Sequence, residues 1–275
     1  MSDNLVTLFY TKNVRGEWRR LVKNAYHRLE LDTTLHFLAK YLPPGGHVLD
    51  AGGGPGRYTL ELARRGYDVT LVDATQANLD FARRMVKRYK IQQRVQQIAL
   101  ASIVDLSQFP EGAFDAVLCL GGPLSHVLDG EERARAISEL VRVTKPAAPI
   151  FVSVIGRIAV LAVILNESTM EIGMQHYDKL INTGDYLGER GFTACHFFLP
   201  EEFQLAFTRP DLEILEMAGL EGISTQHHKA LNRLAKDKQH YLPWLETHLQ
   251  TCTHPTVVGM SEHMLVVARK IATPA

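Results

Sequence analysis

The sequence predicts an α/β fold: a doubly wound, seven-stranded, mostly parallel sheet with helices on both faces and helical lid insertions. Three observations carry this. Short apolar runs alternate with amphipathic stretches between Gly46 and Ile155. A turn too glycine-rich to be core, Gly52-Gly53-Gly54-Pro55-Gly56, follows the first run. Two long excursions, 157–198 and 225–258, then interrupt the rhythm. Strands separated by helical segments of this length demand right-handed crossovers and hence parallel pairing.

In order along the chain, Trp18, Leu21, Val22, Tyr26, Leu29, Leu35, Leu38 and Leu42 recur at helical spacing. They predict one or two helices within 14–42, ended by Pro43-Pro44-Gly45-Gly46. Val48–Ala51 reads as the first strand and 57–65 as a helix closed by Gly66. Strand two is 67–73, followed by a helix over 76–90 with a basic outer face. Strand three is 95–100, strand four 114–120, a helix 130–143, and strand five 150–155. A helix over 200–207, a sixth strand over 212–217, helical sequence over 225–250 and a final strand over 264–268 complete the chain. No linker or repeat divides it, so one domain with insertions is expected. Its parts are an N-terminal helical arm (1–45), a cofactor-binding core (46–156), a lid (157–198), and a C-terminal part of the core (199–275) carrying the insertion 225–258. In a doubly wound sheet ligands bind beyond the carboxyl ends of the strands, and both excursions leave from that edge.

Composition narrows the function. Thirty basic and thirty acidic residues cancel, which argues against broad electrostatic binding to nucleic acid or an acidic membrane. Arg83, Arg84, Lys87, Arg88, Lys90 and Arg94 read as one solvated helix face. Cys119, Cys195 and Cys252 lack the spacing of a disulfide framework or zinc site, so a cytoplasmic location is expected. The longest apolar run, 158–165, is too short to span a bilayer.

The glycine loop chooses the ligand. No register satisfies G-x-G-x-x-G, and no Gly-Lys-Ser/Thr follows to make a P-loop. Asp50-Ala51-Gly52-Gly53-Gly54-Pro55-Gly56 instead fits D-x-G-x-G-x-G and resembles motif I of the class I S-adenosylmethionine-dependent methyltransferases. Val72-Asp73, Phe114-Asp115-Ala116-Val117 and Glu139-Leu140-Val141-Arg142-Val143-Thr144-Lys145-Pro146 resemble further motifs of that family, in order, over residues 47–156.

The resemblance implies a Rossmann-like methyltransferase fold with S-adenosyl-L-methionine as cofactor. It implies that Asp50 lies near the sulfonium and α-amino group and orients the loop. Gly52 and Gly54 would let the backbone approach the amino acid tail. Asp73, followed by Ala74, would accept both ribose hydroxyls, and Leu120 would end strand four beside the cofactor. Ser102 stands where the family commonly has an acid for the adenine amino group, with Ile103 able to pack on the ring. Ala147-Ala148 replaces the usual Gly-Gly. Tyr10 and Trp18 could cover the cofactor, although core packing suits Trp18 better.

The acceptor side is read mostly by exclusion. After strand four the chain has neither N/D-P-P-Y nor a metal-binding aspartate, and Cys119 reads as core. The segment Gly122-Pro123-Leu124-Ser125-His126 is similar to a G-P-L-x-H segment of a small-molecule-type subgroup. His126 is therefore the candidate general base, since imidazole titrates near neutrality. His176, Tyr177 and His196 are the candidate substrate contacts in the lid, with His227 and His228 behind them. The expectation is metal-independent methylation of an O, N or C nucleophile on a small molecule, with no membrane or nucleic acid partner and a homodimer left open. The alternatives are a cofactor-binding protein without transfer activity, or methylation of RNA.

Overall fold

The structure, a computed structural model, describes residues 2–272. The N-terminal arm is two helices, α1 (Ser2–Arg20) and α2 (Ala25–Tyr41). α1 starts well before the periodic stretch that predicted it. It lies along the core, where Trp18 packs on Phe81 and Tyr89, and the Arg57 guanidinium sits 3.8 Å from the Trp18 ring centroid. The Asn24 side chain caps α2 by accepting the His27 backbone N–H.

The alternating part follows the predicted order: β1 (His47–Ala51), α3 (Arg57–Arg64), β2 (Asp68–Asp73), α4 (Gln76–Tyr89), β3 (Val95–Leu100), β4 (Ala116–Cys119), α5 (Gly130–Val143) and β5 (Pro149–Ile155). Arg65 caps α3, and Gly66 follows in the left-handed region at φ 92°. Where the resemblance has Gly-Gly, Ala147 is held at φ 63°, a conformation that costs an L-residue about 1 kcal/mol.

The excursion after β5 has more order than its sequence signalled. It holds α6 (Arg157–Glu167), α7 (Gln175–Thr183) and a two-stranded ribbon of β6 (Asp185–Tyr186) and β7 (Cys195–His196). Ile164, Leu180, Tyr186, Cys195 and Phe197 give it a small core of its own. The chain then returns through α8 (Pro200–Phe207) to β8 (Leu212–Gly219). The second excursion contains α9 (His228–Leu234), α10 (Lys238–Thr251) and α11 (Pro255–Met260), and β9 (His263–Lys270) ends the sheet.

The strand order is β3-β2-β1-β4-β5-β9-β8. Strands β1 to β5 pair in parallel, and β9 runs antiparallel between β5 and β8. The order reverses beside β1, which opens a crevice at the carboxyl edge. The reversed β9 brings its first residue, not its last, to that edge, where Ile155 pairs with His263. Buried side chains pack both faces of the sheet, Cys119 among them, its thiol pushed up to about 12 by burial. No described helix is long and apolar enough to cross a membrane.

Candidate active site

Two adjoining cavities occupy the carboxyl edge. The first, of about 370 Å³, is walled by the glycine loop, the end of β2, the turn after β3 and the end of β4. Seven of the eight expected cofactor residues line it: Gly52, Gly54, Asp73, Ala74, Ser102, Ile103 and Leu120.

Their roles differ in detail from the expectation. Asp50 does not line the cavity, so its expected place beside the sulfonium is corrected. It is fully buried beneath the loop, where a Cβ on Gly53 would lie 2.4 Å from its carboxyl carbon. There Oδ2 accepts the Thr59 N–H at 3.0 Å and the Thr59 hydroxyl at 2.6 Å, capping α3 from outside the helix. Oδ1 is buried without a partner among the described residues, and burial pushes the carboxyl up to about 6. Asp50 thus braces the loop from beneath, through Thr59, and does not line the cavity.

Gly52, at φ 70°, is required by Pro123: a Cβ there would come within 2.6 Å of that ring. A Cβ on Gly54 would meet nothing closer than the Asn78 amide at 3.8 Å, so Gly54 leaves room, and its φ of 56° favours glycine. The Asp73 Oδ1 accepts from Thr75 N and the Asn78 amide, and Oδ2 accepts from Gly54 N at 2.9 Å. A carboxylate offers about four acceptor positions, so about one stays open to a ligand. The expected two-hydroxyl grip on a ribose therefore becomes a single contact unless Asn78 yields. Ser102 Oγ accepts the Val104 N–H at 3.2 Å, which leaves its own O–H to donate, and Ile103 beside it offers an apolar contact.

His126 reaches this cavity but does not present the free lone pair expected of a base. Its Nδ1 must donate to the Ala194 carbonyl, 2.9 Å away, because a carbonyl only accepts. Its Nε2 therefore accepts the Tyr10 hydroxyl at 2.7 Å. Burial holds the ring below its usual imidazole range and the Tyr10 phenol above its own. His126 ties the arm, the core and the lid together.

The second cavity, of about 860 Å³, lies between the arm and the lid. It shares Tyr10, Glu17, Arg20 and Gly121 with the first. None of the three lid residues expected to meet substrate lines either cavity. His176 pairs with Glu171 at 3.1 Å. His196 is clamped between Asp185 at 2.7 Å and Glu202 at 2.6 Å, and Glu202 also takes Arg157. Tyr177 packs on the lid's own core. These residues hold the lid together, which its irregular sequence pattern concealed.

The polar groups that do line the larger cavity include Tyr26, Glu30, Glu221, Glu262 and His263, which the sequence did not single out. Arg20 pairs with Glu17 at 2.9 Å and forks onto Glu30. The His263 Nδ1 lies 2.7 Å from Glu221 and 3.7 Å from Glu30, and these carboxylates raise the imidazole to about 9. Glu30, Glu221 and His263 also bring one potential ligand atom each to within 4.8 Å of one another, but a cation there would have to displace Arg20 from Glu30.

The residues suit a zwitterionic, phosphate-free nucleoside. The first cavity offers backbone at the loop, one open acceptor on Asp73, apolar contact from Ile103 and Leu120, and, where it adjoins the larger cavity, the paired Glu17 and Arg20.

Comparison with known proteins agrees. Residues 48–147 match the methyltransferase-domain family. A ubiquinone biosynthesis O-methyltransferase from Xanthomonas axonopodis pv. citri is 32% identical over 155 residues, 54% of this chain and 61% of that protein. A glycine/sarcosine N-methyltransferase from Parasynechococcus marenigrum is 29% identical over 140 residues, 50% of this chain and 47% of that one. The chain thus spans about half to three fifths of these two relatives. Among solved structures, a SAM-dependent methyltransferase from Methanosarcina mazei superposes with a TM-score of 0.61 at 20% identity, over 86% of this chain and 98% of that one. A geranyl diphosphate C-methyltransferase from Streptomyces coelicolor A3(2) gives 0.55 at 17% identity, over 89% and 79%. These likenesses reach beyond the glycine loop to the fold of the whole sheet, and residues 48–147 match the methyltransferase-domain family.

Proposed function

We propose that this chain transfers a methyl group from S-adenosyl-L-methionine to a nucleophilic atom of a small molecule. The observation that carries the reading is the pair of adjoining cavities: one lined by the glycine loop and Asp73, the other by the arm and the lid, meeting at Tyr10, Arg20 and Gly121. The cofactor, when bound, supplies an electrophilic methyl on a sulfonium, so the protein's share is alignment and exclusion of water. Gly54, Asp73, Ile103 and Leu120 would hold the nucleoside, and Glu17 and Arg20 the amino acid tail. Tyr10, fixed by His126, presents an aromatic ring at the junction of the two cavities, where a sulfonium would be attracted to its face.

The basic face of α4 does not favour a nucleic acid partner. On α4 Arg83 pairs with Asp80, and just beyond the helix Arg94 pairs with Asp68, so two of the six basic residues are already neutralised.

Titration calorimetry with S-adenosylmethionine and with its demethylated product tests the cofactor half. Both should bind below millimolar concentration, and failure of both refutes the reading. Transfer of labelled methyl groups into a metabolite extract tests the activity. Sustained incorporation is expected, and cofactor binding without incorporation under any condition would favour a binding protein.

A further inference from the structure

We propose that the larger cavity takes an amphiphilic anion, its apolar body along the lid wall and its carboxylate or phosphate at the rim, against Arg19, Lys23 and Arg190. The inference deepens the methyl-transfer reading by naming the acceptor's class, and rests on it only for calling this ligand the acceptor.

The charges that line this cavity differ in how they are partnered. Each of its carboxylates is already engaged. Glu17 and Glu30 hold Arg20, Glu221 holds His263, and Glu171 pairs with His176. Glu262 accepts the Tyr26 hydroxyl at 2.6 Å and the Gln226 amide at 3.0 Å. Arg19, Lys23 and Arg190 line the same cavity, are solvent-exposed, and have no carboxylate within salt-bridge distance among the described residues. Local sequence explains this. Three and four positions before Arg19 on α1 stand Gly16 and Arg15, and Glu17 is taken by Arg20. Lys23 lies in the turn before α2, and residues 19–28 hold no acid. Glu189, beside Arg190, accepts the Leu187 N–H, while the Arg190 guanidinium contacts the Met170 sulfur at 3.1 Å.

Exposed cations are satisfied by water and need no partner. These three form a recognition element because they share one cavity whose buried end repels anions. Glu30, Glu221 and Glu262 gather there with only Arg20 and His263 against them. A negative group is therefore driven from the buried end and drawn to the rim, which fixes the ligand's direction. The body follows from the lid side, where Val160, Ile164, Leu180, Phe192 and Phe197 present an apolar wall. Such a wall gains by covering hydrocarbon and would be left bare by a wholly polar anion. The rim also joins the two elements that enclose the cavity. Arg19 and Lys23 lie at the end of α1, and Arg190 stands on the lid hairpin two residues from Phe192, whose ring meets Phe9 of α1 at 5.5 Å. None of the three cations lines the first cavity, so the anionic group is a handle that stays outside the cofactor's space.

The test uses four probes with one tail: octyl phosphate, octanoate, 1-octanol and octylammonium. Each is titrated into the full chain with and without the demethylated cofactor. Binding of that cofactor is measured by itself, so a failure of the methyltransferase reading is distinct from a failure of this one. At about 20 mM salt at least one anion should bind about tenfold tighter than the alcohol, since each exposed charge contact gives about 1.5- to 5-fold. The tighter of the two anions identifies the headgroup. At about 0.5 M salt the advantage should shrink to about twofold or less. Replacing all three cations, Arg19→Gln, Lys23→Gln and Arg190→Gln, should erase it while octanol and cofactor affinities stay within about twofold. Phe192→Ala should instead weaken anion and alcohol alike, by about threefold or more, and keep the preference. Octanol binding as tightly as both anions, tightest binding by octylammonium, an anion preference that survives the triple replacement or high salt, probe binding untouched by Phe192→Ala, or no binding of any probe would each overturn the proposal.

Discussion

Asparagine at position 73 separates the charge of that side chain from its shape. Three protein donors already reach Asp73: Thr75 N at 2.8 Å, the Asn78 amide at 3.1 Å and Gly54 N at 2.9 Å. An asparagine oxygen in the Oδ1 position keeps the first two. Its amide nitrogen then faces the Gly54 N–H, donor against donor, and the open acceptor position is lost. A hydrogen bond to a charged group is worth about 1.5–3 kcal/mol, so Asp73→Asn should weaken both S-adenosylmethionine and its demethylated product by about 10- to 150-fold. The opposed donors should also cost about 1–3 kcal/mol of stability. Calorimetric titration at 25 °C, run beside a thermal scan of the same sample, reads both quantities. A variant that melts lower but binds with wild-type affinity would show that Asp73 only braces the loop.

Three further outcomes follow from named contacts. Asp50→Ala removes the outside cap on α3 and should cost about 1–2 kcal/mol in a denaturant titration. Asp50→Asn should stay within about 1 kcal/mol of wild type and change cofactor affinity by no more than about threefold, because the carboxylate does not reach the cavity. Ala147→Gly relieves a left-handed alanine at φ 63° and should raise stability by about 0.5–1 kcal/mol, or the melting temperature by about 2–3 °C. The folded state raises His263 to about 9 against an unfolded value near 6.5. That stabilisation is complete below the unfolded value and is lost as pH climbs through the folded one. Melting temperature should therefore fall between about pH 6.5 and 9 by more in wild type than in His263→Asn, with up to about 3 kcal/mol at stake. Parallel curves would refute the ion pair with Glu221.

Legibility in the sequence tracked how local each feature is. The predicted bounds of β3, α5 and α8 match the structure, because each is an apolar pattern bounded by its own breakers or caps. The residues of the first cavity were largely readable because most come from the ends of β1, β2, β3 and β4 and the turns that follow them. The role of Asp50 was misread because a strand-end acid before a glycine loop looks the same whether it faces ligand or lies under the loop; the Thr59 contact decides. The lid histidines were misread for a related reason. Imidazole in a segment without periodicity suggests ligand contact, but Asp185, Glu202 and Glu171 lie at no diagnostic spacing from His196 and His176.

The larger cavity was missed because it has no local sequence at all. Its polar end joins the end of α1, the start of α2, the turn after β8 and the first residue of β9. The rule that ligands gather beyond strand carboxyl ends directs attention past Lys270, the last residue of β9. The reversal of β9 inverts that rule for one strand and puts His263 at the functional edge instead. The same reversal links Glu221 and His263, 42 positions apart across the helical insertion, with the Ser261 hydroxyl completing the Glu221 site. Because Glu221 takes three donors from this junction, closing β8 against β9 and aiming the imidazole are one structural event. Insertions between them can therefore change in length or packing, and alter what the larger cavity admits, without disturbing the glycine loop that walls the first cavity.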